Sequence, residues 1–185
     1  MGAKSWVESG FFSVATDTGF RAETERMPGY FVFLIPFVSG FESSVPLIVA
    51  TQSFIDATSC VLIARLAAFV DSHLAIISGI TAAFWHNTIL HSSLILTETI
   101  FLFLLCCLLV TSAFFLTTSK LRYAVLAGLI CGLAISTRTV VIFLPIAMAL
   151  AALLIALYKR QKFYTGLLAG SLVMVFCALP LAPVL

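Results

Sequence analysis

The sequence predicts an all-α fold, a polytopic transmembrane helix bundle, and two observations carry that prediction. The first is composition: of 185 residues, 62% are hydrophobic and 10% charged, with a mean hydropathy of +1.16. Soluble domains hold about a quarter charged residues and about half apolar ones. So much apolar surface does not fit inside one aqueous core. The second is a succession of apolar runs at roughly 45–69, 73–92, 98–118, 122–157 and 163–182. Each approaches or exceeds the ~20 residues that a helix needs to cross a bilayer.

Taken in order, residues 1–44 read as an extracytoplasmic loop, and residues 45–185 as the helix bundle. The opening "MGAKSWVESGFF" has no apolar core and no small-residue cleavage site, so it is not a secretory signal. It also misses the myristoylation pattern, because Trp6 stands where Ser or Thr is required. Next, "YFVFLIPFVSGF" is apolar but too short to cross, and Pro36 interrupts it; it reads as an interfacial or re-entrant helix. The run 122–157 is long enough for two helices and breaks at "STRTVVIFLP", around Arg138. The expectation is therefore six crossings.

Basic residues orient the bundle. If residues 1–44 lie outside, the inner turns receive Arg65, Lys120, Arg122, Lys159, Arg160 and Lys162, and the outer face of the bundle receives only Arg138. The turns at His91–Glu98 and Ser136–Thr139 then emerge on the same outer face as "ETERMPGY". An integral, multi-pass protein follows, in a bacterial inner membrane or, in a eukaryote, the endoplasmic reticulum membrane.

Other chemistries find little support. A net charge of +2, with no basic patch interleaved with aromatics, argues against a nucleic-acid partner. The five cysteines (Cys60, Cys106, Cys107, Cys131 and Cys177) all fall inside apolar runs, where cysteine behaves as a small hydrophobe. His86 and His91 read as interfacial polar residues, without the converging partners a metal site needs.

Three acidic or basic positions stand out. Glu98 opens an apolar run, where it either serves the helix dipole, with Thr97 as the cap, or has a chemical role. Arg138 either snorkels to headgroups or faces a ligand. Asp56 lies inside a span one turn after Gln52, which suggests a hydrogen-bonded Gln52–Asp56 pair or a proton path. Gly128 and Gly132, and Gly166 and Gly170, have the four-residue spacing that lets helices approach closely.

Together these segments resemble a family. "ESGFFSVATDTGFRAETERMPGYFVFL" is similar to the first external loop of the protein O-mannosyltransferase type of membrane glycosyltransferase, in the GT-C superfamily. "SSLILTETIFLFLL" resembles its second external loop, and "LAGLICGLAISTRTVVIFLP" a later recurrent segment. The resemblance runs from about Glu8 to Tyr158 in the family's order. It implies transfer of a sugar from a polyprenyl-phosphate donor to a protein, lipid or glycan acceptor at the outer membrane face, with inversion and a carboxylate as general base. It implies that Glu98 holds a divalent metal ion or the acceptor side of the site, as the candidate catalytic residue. Arg26 and Arg138 would neutralise the lipid phosphate, with Glu25 beside Arg26 on the substrate-binding surface and Pro28, Gly29 and Tyr30 shaping the loop beside the donor.

This sequence departs from the family at Met27 and Phe31, where relatives carry prolines around "PGY". The family's catalytic acid, at the end of a first span, would fall upstream of Met1. The expectation is thus an N-terminal fragment without that span, inactive alone; Asp17 and Glu8 lie in the right loop but do not match the family's position. The alternatives are a non-catalytic membrane subunit, or a transporter piece with Asp56 and Arg138 on an ion path.

Overall fold

The computed structural model describes residues 13–16, 19–22, 28–94, 96–158 and 163–178. The chain is a bundle of helices with a short hairpin ahead of it. In the hairpin, β1 (Ser13–Thr16) pairs antiparallel with β2 (Gly19–Ala22), Ser13 opposite Ala22 and Thr16 opposite Gly19. The sequence reading expected only loop and interfacial helix there. Two four-residue strands lack the run of alternating apolar residues that marks a strand in sequence.

Helix α1 (Pro28–Leu34) opens with proline, whose missing N–H is no loss in a first turn. It passes into a 3-10 turn, Ile35–Gly40, at the position where Pro36 was expected to interrupt it. Helix α2 (Phe41–Ala68) follows, with an apolar stretch from Ser44 that is long enough to cross a bilayer. The expected 73–92 span is instead two helices, α3 (Ser72–Ala83) and α4 (His86–Ser93). The break has a local cause. The Trp85 carbonyl accepts both the backbone N–H and the hydroxyl of Thr88, starting a new helix rather than continuing the old one.

Helix α5 (Glu98–Thr118) is the second element of spanning length, about 31 Å at 1.5 Å per residue. It ends at Ser119, whose backbone is left-handed (φ 53°). The run 122–157 divides as expected: α6 (Leu121–Thr137) ends at Arg138, a 3-10 turn covers Thr139–Val141, and α7 (Leu144–Tyr158) resumes. Helix α8 is Phe163–Ala178.

The helices pack in a row: α3 beside α2, then α5, α6, α8 and α7. Helix α6 can sit between two neighbours because one of its faces is small. Ala124, Ala127, Gly128, Cys131, Gly132 and Ala134 are all buried. A Cβ on Gly128 would lie 2.7 Å from the Val173 carbonyl oxygen of α8, and one on Gly170 would lie 3.3 Å from Ala149 of α7. Gly128 and Gly170 therefore serve close helix approach, as their spacing suggested. Cys131 and Cys177 pack in the same apolar cluster as Leu108 and Ile135.

The outer surface is strongly apolar. Phe54, Ile76, Phe84, Val140 and Phe143 are each at least 70% exposed. A soluble protein rarely exposes so many large apolar side chains, whereas hydrocarbon tails accept them at no cost.

Candidate functional site

The segments singled out in the sequence meet at one end of the bundle. Helix α1 is short, and it is fixed by two contacts. Its Tyr30 and Leu34 join Ile48 of α2 and Ile100 of α5 in a buried cluster. Its Gly29 rests directly on the last turn of α6: a Cβ there would come within 2.6 Å of the Ser136 carbonyl oxygen and 2.7 Å of its Oγ. Only a residue without a side chain fits against that main chain. The "PGY" segment is thus seated on "STR".

Glu98 and Arg138 occupy opposite helix ends. Glu98 stands in the first turn of α5, where the dipole favours an acid, and Arg138 follows the last turn of α6, where it favours a cation. The Arg138 Nη1 lies 3.4 Å from Glu98 Oε1, and the guanidinium carbon sits 5.8 Å from the centre of the Phe101 ring. Both side chains remain open to solvent, 44% for Arg138 and 30% for Glu98. Thr97 does not cap α5; its hydroxyl donates to Glu98 Oε2 at 3.2 Å.

Beneath this pair, Tyr30 and Gln52 form a buried layer. Gln52 is completely buried, and its Nε2 donates to Tyr30 Oη and to the Leu96 carbonyl oxygen, each at 3.0 Å. Burial pushes the Tyr30 hydroxyl up to about 12; the Gln52 hydrogen bond opposes that shift, and the Glu98 charge adds to it. Tyr30 therefore keeps its proton at neutral pH. The expected Gln52–Asp56 pair is not formed. Helical side chains lean toward the N-terminus of their helix, so Gln52 reaches toward Tyr30 and Leu96. Asp56 instead lines a groove of about 640 Å³ between α2 and α3–α4, with Ser59, Ser78 and Trp85.

Glu25 and Arg26, like Asp17 and Glu8, lie outside the described residues. Among the described residues, no three His, Cys, Asp or Glu side chains gather as metal ligands. The carboxylate of Glu98 faces a guanidinium rather than further acids. Among the described residues, one carboxylate paired with a guanidinium is not a donor set for a divalent ion. Gln52 is the residue whose place in the site the sequence did not reveal; its own signal was an uncharged polar side chain within an apolar run.

The family model for dolichyl-phosphate-mannose-protein mannosyltransferases matches residues 26–185, most of the chain and every described residue of the site. The chain belongs to this mannosyltransferase family. It is accordingly a membrane glycosyltransferase of the mannosyltransferase type. The family match begins at Arg26, two residues before α1, and takes in Tyr30, Gln52, Glu98 and Arg138. Searches among curated proteins and among solved structures returned no match for this mannosyltransferase-type chain.

Proposed function

We propose that this protein transfers a sugar from a polyprenyl-phosphate donor to a hydroxyl-bearing acceptor (protein, lipid or glycan) at the extracytoplasmic membrane face. What supports the reading is the meeting of Tyr30, Glu98 and Arg138 at one end of the bundle, on segments that belong to a mannosyltransferase family.

In the reaction, the acceptor oxygen forms a bond to the sugar C1, the C1–O bond to phosphate breaks, and polyprenyl phosphate leaves with the electron pair. The acceptor's proton passes to a carboxylate base. Arg138 suits the phosphate, because a guanidinium fork matches two phosphate oxygens at once. Its present partner, Glu98, is only a part-exposed ion pair, and such pairs hold weakly. Donor binding draws Arg138 toward phosphate and frees the Glu98 carboxylate to orient the acceptor hydroxyl. Arg26 adds a second positive charge from the donor loop. Six membrane crossings, with residues 1–44 outside, complete the proposal.

The test is sugar transfer from a mannosyl-phosphate polyprenol in membranes bearing the full-length parent enzyme. Arg138→Gln is expected to raise the KM for donor about tenfold or more, and Arg138→Lys less, since an ammonium keeps the charge without the fork. An unchanged KM in Arg138→Gln removes Arg138 from the donor site.

A further inference from the structure

Gln52 has two amide hydrogens, and the structure accounts for both. The Leu96 carbonyl oxygen can only accept, so the Gln52 atom 3.0 Å from it must be the donor nitrogen. The same nitrogen lies 3.0 Å from Tyr30 Oη, so Gln52 donates there too. Tyr30 is thereby cast as the acceptor of that bond. Its own hydroxyl hydrogen is left over, and no acceptor among the described residues takes it. On the far side, the Oε1 of Gln52 is buried without a partner. An amide that leaves its acceptor unsatisfied in order to donate twice bears a cost of burial. Turning the amide over would let Oε1 accept from the Tyr30 hydroxyl, but it would set two acceptor oxygens 3.0 Å apart at Leu96.

We propose that Gln52 is a positioning residue: its two donated hydrogen bonds make Tyr30 present its hydroxyl hydrogen to a sugar or phosphate oxygen of the donor, and hold Leu96 so that Glu98 is set two residues further on. The inference deepens the transferase reading and rests on it. Tyr30 touches the ligand; Gln52 acts through Tyr30 and Leu96. The high affinity of Tyr30 for its proton agrees with a donor that stays neutral.

The experiment is a double-mutant cycle with Gln52→Leu, Tyr30→Phe and the double variant. Two readouts are taken on the full-length parent enzyme: kcat and KM for a mannosyl-phosphate polyprenol, and thermal melting in detergent. Each single variant is expected to lose about tenfold in kcat/KM. The double variant is expected to lose about tenfold as well, not a hundredfold, because the second change removes what the first has already disabled. Melting shifts should overlap in the same way. Gln52→Glu, which keeps the shape but donates at most one hydrogen, should fall between wild type and Gln52→Leu, and it serves if Gln52→Leu does not fold. Losses in kcat/KM that multiply to about a hundredfold overturn the proposal, as does a Gln52→Leu variant within twofold of wild type. Should the full-length parent with wild-type Gln52 and Tyr30 transfer no sugar, the functional reading fails and takes the inference with it. Overlapping melting shifts would then show that the Gln52–Tyr30 link is sound and that the fault lies in the assigned activity.

Discussion

Arg138 and Glu98, forty residues apart in sequence, form an ion pair at 3.4 Å across the adjacent ends of α6 and α5. Each stands at the helix terminus whose partial charge favours it. The pair is nevertheless part-exposed, so its worth to stability is small, of the order of 0–1 kcal/mol. Folding therefore gains little from the pair, and either charge can be removed without loss of the fold.

Glu98→Gln separates these contributions. Stability should change by no more than about 1 kcal/mol, because only an exposed pair and a dipole term are lost. Sugar transfer should fall about a hundredfold or more, the usual effect of removing one preorganised charged group. The measurement is turnover at saturating donor, beside a melting curve. A variant that keeps more than about a third of the wild-type rate leaves Glu98 as a helix-end residue, since that loss is under 1 kcal/mol of barrier.

Gly29→Ala is expected to damage both fold and activity. The new methyl would press on the carbonyl of Ser136, which is main chain and cannot rotate away. Overpacking of this kind costs about 1–3 kcal/mol. Ser136→Ala should not rescue it, because it removes only Oγ. Gly170→Ala, with its nearest contact at 3.3 Å, should melt within a few degrees of wild type. Equal losses at the two glycines would refute the tight seating of α1.

Tyr30 predicts an alkaline transition. Its hydroxyl, held up to about 12 by burial against 10.0 when exposed, binds its proton more firmly in the folded state. The stability this contributes is present in full below pH 10 and is lost as pH rises through 12, at most about 2–3 kcal/mol. Melting temperatures of wild type should fall more steeply over that window than those of Tyr30→Phe. Glu98→Gln should move the transition to lower pH, because its charge helps to hold the proton on. Parallel curves for wild type and Tyr30→Phe would contradict this.

Topology can be read by labelling. On a background without native cysteines, Thr97→Cys should react with an impermeant maleimide added outside intact cells, and Lys120→Cys should not. Outside labelling of Lys120→Cys would reverse the orientation and move the site to the cytoplasm.

The extent to which the sequence announced this site varies residue by residue. Alternating the apolar runs puts Glu98 and Arg138 on one face, because each run has only two ends. It gives no distance between them, which depends on α5 and α6 being neighbours in the row. The Gln52–Tyr30 bond was out of reach for another reason. In sequence the nearest polar partner of Gln52 is Asp56, one turn away, whereas its actual partners are 22 and 44 residues distant. The break at Phe84–Trp85 leaves hydropathy almost unchanged and depends on a carbonyl shared by Thr88. The hairpin is too short to show a period at all.

The seat of Gly29 also sets an order in time. Ser136 follows Gly29 by about a hundred residues, so the ribosome completes α2 to α5 and nearly all of α6 before the seat exists. At 5–20 residues per second that interval is roughly 5–20 s. Through it α1 has its contacts with α2 and then α5, and its α6 side is uncovered. A nascent chain therefore enters the membrane with α1 not yet seated on α6. The contact that seats α1 arrives only once the later helices have docked, so the order of synthesis is also the order of assembly.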